Sequence, residues 1–178
     1  MSQFLVVTAV GEDRPGIVNE LVKLASACHC NIVDSRMAIL GNEFTLIMLI
    51  SGDWNAVARL ESQMPMLARD HNLLTMMKRT GHHEAANYAH RLELQAVTPD
   101  RPGVISQVTQ FLAERQVNIS ALSASTEDDQ LHLAIRINLP DGTDLGEFET
   151  ALAPLCNAAA LDVKLSHLTP LTEIRHKE

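Results

Sequence analysis

The sequence predicts an α+β chain built from two copies of one βαββαβ unit, and three observations predict it. Asp13-Arg14-Pro15-Gly16 recurs as Asp100-Arg101-Pro102-Gly103, an offset of 100 − 13 = 87 residues. The same offset, with no gap, carries Ala9-Val10 onto Ala96-Val97 and Asn31-Ile32 onto Asn118-Ile119. It also carries Phe44, Leu46, Met48 and Ile50 onto Leu131, Leu133, Ile135 and Ile137. Three matched blocks in one register mark a duplication, which has to be recognised before any single motif is read.

Each copy shows the same order of elements. A strand over residues 4–10 or 91–97 runs into the Asp-Arg-Pro-Gly corner. Proline is expected in the first helical turn, where its missing N–H is not needed. The helix beyond carries Ile17, Leu21, Leu24 and Cys28 in one copy, and Val104, Val108, Phe111 and Leu112 in the other, at helical spacing. A hairpin follows, turning near Gly41-Asn42 and Asp128-Asp129. Asp53 and Asp144 are good N-cap residues for a second helix, bearing Trp54, Val57 and Leu60 or Leu145, Phe148 and Leu152. Last strands are expected over 71–78 and 161–167. The order β-α-β-β-α-β is that of ferredoxin-like domains. The reading divides the chain into a first domain, 1–79, a linker, 80–89, a second domain, 90–168, and a polar tail, 169–178.

Composition narrows the function classes. With 46% hydrophobic and 20% charged residues, 178 residues suffice for packed cores. The formal net charge is −8, the 14 Lys and Arg are scattered, and aromatic residues make up 3%. Phosphate neutralisation needs a basic stripe, so direct nucleic-acid contact is not expected. No apolar run approaches the ~20 residues of a membrane span, and the N-terminus reads as a strand rather than a signal peptide. Three cysteines form no disulfide framework, and a cytoplasmic location fits best. No nucleophile–base set, phosphate loop or dinucleotide fingerprint is present, so neither an enzyme nor a cofactor is expected.

The repeated corner admits two readings. A strand ends, the chain turns and a helix starts, so free backbone N–H groups and the positive helix end converge where a carboxylate could sit. Glycine allows close approach, and Asp13 or Asp100 could hold an ammonium group. Alternatively, Asp caps the helix, Pro starts it and Gly merely fits the turn. On the first reading, Gly16→Val or Gly103→Val should weaken ligand binding and leave the fold largely intact.

The tandem Asp-Arg-Pro-Gly corners, each with Asn-Ile opening the next strand, resemble the ACT domain, a small-molecule sensor of amino-acid metabolism. Two such domains over nearly the whole chain resemble the glycine cleavage system transcriptional repressor family. The resemblance implies amino-acid binding where two domains meet, through the β1–α1 turn and the start of β2. It points to Asp13, Arg14, Pro15 and Gly16 with Asn31 and Ile32, and to Asp100, Arg101, Pro102 and Gly103 with Asn118 and Ile119. It further implies glycine as effector and repression exerted through contact with a DNA-binding activator. The alternative is a regulatory subunit of an amino-acid enzyme. Cys28-His29-Cys30 departs from the repeat, facing Arg115-Gln116-Val117 in the second copy.

The copies also differ on one sheet face. If Leu5, Val7 and Ala9 face the helices, Phe4 and Val6 face away, beside Ile47 and Leu49 on the neighbouring strand. The second copy places Arg91, Glu93, Ala134 and Arg136 there. An apolar face on the first copy alone is expected to be covered, by the other domain or by a second subunit of a homodimer. Each large side chain left in water forgoes roughly 1.5–3 kcal/mol of burial. Zinc wants four ligands, and Cys28 falls on an apolar helix face, so no metal site is expected there or at His82-His83. Met48, Met64, Met66, Met76 and Met77 are expected to fill core gaps.

Overall fold

Strict alternation in Gln3–Glu12 forms β1, with Leu5, Val7 and Ala9 buried beneath the helices. In this computed structural model the described residues are 2–81, 88 and 90–168. They fall into two compact units, Met1–Glu84 and Ala85–Glu178. Residues 82–87, including His82-His83, and the tail beyond 168 lie outside the described residues.

In the first unit β1 is followed by α1 (Ile17–Ala27), β2 (Asn31–Leu40), β3 (Glu43–Gly52), α2 (Trp54–Asp70) and β4 (Leu74–Thr80). The second repeats the series as β5 (His90–Pro99), α3 (Val104–Glu114), β6 (Asn118–Glu127), β7 (Gln130–Leu139), α4 (Leu145–Ala159) and β8 (Asp162–His167). The antiparallel sheets run β2-β3-β1-β4 and β6-β7-β5-β8. Leu5 pairs with Ile50, and Leu92, 87 residues on, pairs with Ile137. Even the irregularities recur: β2 shifts register between Ile32 and Asp34, and β6 between Ile119 and Ala121. Each core joins the helices to the inner sheet face, through Leu21, Phe44 and Leu60 in one unit and Leu112, Ile135 and Phe148 in the other. Among the described residues no helix is long and apolar enough to cross a membrane.

Three expectations need correction. Trp54 is 61% exposed, because it starts α2 and lies under the guanidinium of Arg79, 5.6 Å from its ring centroid. Met48 and Met64 are buried, but Met66 and Met76 are exposed. Met76 falls on the outer face of β4, opposite Thr8. The last strands also start later than expected, because the helices before them end in a defined device.

That device ends all four helices. At the end of α2, Asn72 is left-handed (φ 53°), its N–H reaches the Arg69 carbonyl at 3.3 Å, and Leu73 N–H reaches Ala68 at 2.7 Å. This is the Schellman arrangement, which satisfies carbonyls that the helix leaves unpaired. His29, Gln116 and Ala160 hold the same place after α1, α3 and α4, with φ of 62°, 56° and 52°. Cys28-His29-Cys30 is thus a helix terminus: Cys28 lies in the core and Cys30 donates its N–H to Ala25 at 2.9 Å. Burial raises both thiols above the ordinary range, so they stay protonated at neutral pH.

Two predictions follow from this architecture. Ala160→Gly relieves a left-handed strain and should raise the unfolding free energy of the second unit by about 1 kcal/mol in urea titrations. Glu61 accepts a paired contact from Arg79, at 2.9 and 2.6 Å, which holds its carboxyl below the ordinary range. Its stabilisation is complete above the unfolded carboxyl pKa of about 4.3 and is lost as pH falls through the lower folded value. The stability gap between the native chain and Glu61→Gln should therefore close on acidification, as read from urea midpoints across that range.

Candidate functional site

In both copies the Asp-Arg-Pro-Gly corner is a type II turn leading into a helix. Ile17 N–H reaches the Arg14 carbonyl at 3.4 Å, and Val104 N–H reaches Arg101 at 3.4 Å. Gly16 (φ 92°, ψ −12°) and Gly103 (φ 96°, ψ −9°) hold the third position of the turn. That position requires positive φ, while proline suits the one before it. Proline therefore sets the turn rather than the first helical turn, and the helices begin at Ile17 and Val104.

Glycine is also the N-cap, and no side chain caps either helix. The contrast is internal, since Asp53 accepts from Ala56 N–H at 2.7 Å and Asp144 from Glu147 N–H at 2.9 Å. Asp13 and Asp100 are not caps. Their N–H groups bond the Asn42 and Asp129 carbonyls at 3.1 and 2.9 Å, tying the corner to the hairpin. Asp100 also accepts from the Thr126 hydroxyl at 3.0 Å. The matching position in the first copy is Ile39, which has no hydroxyl to offer.

The arginines of the motif face the end of the second helix. Arg14 Nη2 lies 2.6 Å from His71 Nδ1 and donates to the His71 carbonyl at 3.3 Å. A guanidinium only donates, so this geometry makes Nδ1 the acceptor. Arg101 Nη2 donates to the Ala159 carbonyl at 2.8 Å, which the Thr98 hydroxyl also reaches at 3.0 Å. Each arginine thus brings a cation to the negative end of a helix and fixes the corner against it. Ala159 was not legible as a partner, because a backbone acceptor leaves no mark in the sequence, and His71 was not because it lies 57 residues from Arg14 with no motif joining them.

Beside the first corner a cavity of about 210 Å³ is lined by Arg14, Pro15, Gly16, Ile17, Glu20 and His71. Drug-sized ligands fill about 300–1,000 Å³, so this space is on the scale of a small metabolite. The larger cleft of about 460 Å³ between α4 and β8 has Glu149 and Asp162 in its wall and no basic residue, which disfavours a carboxylate there. Among the described residues no three His, Cys, Asp or Glu side chains come together to hold a metal.

Asn31 and Ile32 lie elsewhere. Asn31 pairs with Ser51, which pairs with Phe4, so it sits level with the start of β1. The corner follows the end of β1, eight residues along, or about 26 Å at ~3.3 Å per residue. Asn118 is placed likewise in the second unit, where its amide donates to the Tyr88 hydroxyl at 3.3 Å. Ile32 and Ile119 pack against their cores. Within one unit the corner and the Asn-Ile pair therefore stay apart.

ACT-domain profiles match residues 3–78 and 93–157. The glycine cleavage system transcriptional repressors of Escherichia coli K12 and Shigella flexneri are each 39% identical over 159 residues, 86% of this chain and 84% of theirs. The chain belongs to the glycine cleavage system transcriptional repressor family. A crystal structure provisionally assigned to a repressor of this family aligns over 96% of this chain and 99% of its own, at 41% identity and TM-score 0.78. A protein of unknown function from Galdieria sulphuraria aligns over 95% and 100%, at 26% identity and TM-score 0.77. Both repeats are thus ACT domains, each a βαββαβ unit of the family's α+β fold.

The corner glycines carry a further prediction. A Cβ at Gly16 or Gly103 would meet nothing within 4 Å, so the cost of substitution is conformational. Gly16→Ala should lower stability by about 1–2 kcal/mol without a clash, as measured by chemical unfolding. Valine, branched at Cβ, costs more at this φ, which corrects the expectation of a fold left intact.

Proposed function

We propose that this protein is an amino-acid-responsive repressor of glycine cleavage genes, with glycine as its effector, acting through a DNA-binding activator rather than on DNA itself. The observation that carries the reading is the 39% identity to the two repressors over most of both chains. The uncapped corner gives it a chemical basis. First-turn amides without a side-chain acceptor offer a carboxylate what Asp53 gives α2. Glu20, in the cavity wall, supplies negative charge for the ammonium group, and Arg14 holds the turn while its guanidinium faces His71.

Because the corner and the Asn-Ile pair sit at opposite ends of a sheet, a ligand touching both draws the second set from another ACT domain. The acidic balance of −8 suits a protein partner better than a phosphate backbone. A regulator of this kind needs no catalytic residues; it needs a difference in partner affinity between its free and ligand-bound forms.

Calorimetric titration with a panel of amino acids tests the effector. Glycine should bind more tightly than larger side chains, and Gly16→Ala should weaken it. A mobility-shift assay with the activator and its DNA tests the output. Glycine should change the repressor's affinity for the activator by about 5- to 150-fold, the usual range of such coupling. No heat with any amino acid, or an activator complex indifferent to glycine, would overturn the proposal.

A further inference from the structure

Duplication supplies an internal control for the outer faces of the two sheets. On the second, Glu93 pairs with Arg136 at 3.3 Å, and Asp162, Ala134 and Lys164 occupy neighbouring rungs. On the first, the rungs that match Asp162, Ala134 and Lys164 carry Leu74, Ile47 and Met76. These three are 77%, 46% and 67% exposed. Val6 and Leu49 extend the patch across the central strands. The second unit has the same fold with charged or small residues at these three positions, so the fold does not require large apolar side chains there. Contiguous apolar surface of this kind on one chain marks a contact with something else.

We propose that a second copy of this chain sits on this face, the two sheets stacked about a two-fold axis that runs along the strands between β3 and β1. One rung identifies the occupant. It reads Asp34, Leu49, Val6, Lys78 from edge to edge: acid, two apolar residues, base. A two-fold axis through its centre lays each Lys78 over the Asp34 of the other copy, twice, with the apolar pairs between them. Asp34 already holds Arg36 at 3.5 Å, so the second cation completes a network at the rim. An axis across the strands would instead set Lys78 against Lys78.

The size of the face agrees. Four strands ~4.8 Å apart, up to ten residues long at ~3.3 Å each, give a footprint of about 600 Å² per copy. About 1,200 Å² over the pair enters the range of specific interfaces. A self-complementary patch of this kind closes as a dimer and does not propagate.

Sedimentation equilibrium of the full chain, from low to high micromolar, tests the inference independently of any ligand. The native chain should be dimeric, and Ile47→Arg, which places a charge at the centre, should raise the dissociation constant at least tenfold. Ala134→Arg, the matching change on the second sheet, should leave it unaltered. Lys78→Asp should weaken the dimer, and adding Asp34→Lys in the same chain should restore it. Circular dichroism checks that each variant is folded. A native chain monomeric throughout means the face is covered within the chain or by a different protein, and overturns the proposal. So does a dimer that survives Ile47→Arg, one that Ala134→Arg breaks equally, or a charge exchange that fails to restore it.

Discussion

The left-handed glycine at the strand-to-helix corner is the constraint from which the rest of each domain is arranged. Its φ of 92° or 96° turns the chain so that β1 or β5 can feed a helix lying back across the same sheet. Proline before it narrows the unfolded ensemble, and arginine before that reaches across to the end of the second helix. One tetrapeptide thus fixes the relation of a strand, a hairpin and both helices. Its retention in both copies has a structural reason, whatever else binds there. The functional consequence is a by-product of the same choice: a glycine cap satisfies no amide, so the turn that folds the domain also leaves donors open.

Much of this was legible in the sequence, for physical reasons that differ by element. Alternation in β1 and β3 fixed which residues lie inside, because a one-residue slip would expose Leu5, Val7 and Ile50 together. Asp53 and Asp144 were readable as caps because a carboxylate before an apolar helix has few other uses. The helix ends were not readable, since the left-handed position is held by His29, Asn72, Gln116 and Ala160 rather than glycine. That concealment produced two errors. Cys28-His29-Cys30 looked like a departure needing its own explanation, and β4 was started three residues early.

The site was legible in its parts and not in its assembly. The corner and the Asn-Ile pair were both singled out, but sequence proximity to one strand gave no warning that they sit about 26 Å apart along it. Connectivity explains this: α1 returns the chain to the starting end of β1, so β2 begins where β1 began. Met76 and Leu74 were missed on the outer face for a related reason. A methionine in a short edge strand with uncertain register reads equally well as core filler, and only the pairing with Thr8 and Val10 decides the side.

Comparison of the two domains separates what the fold needs from what the first domain carries in addition. Residues kept at the 87-residue offset hold the turn, the bulge and the inner face, and these are the features that any copy must have to fold. Residues that differ cluster on the outer sheet face and at the arginine's partner, His71 against Ala159. The second difference matters for chemistry. Both arginines reach a backbone carbonyl at the end of the second helix, and Arg14 alone also meets a side-chain acceptor there, the His71 imidazole. Duplication therefore left one framework with two sets of surface chemistry. If the outer face of the first sheet joins two chains, the first domain carries the contact and the second keeps the same framework without it.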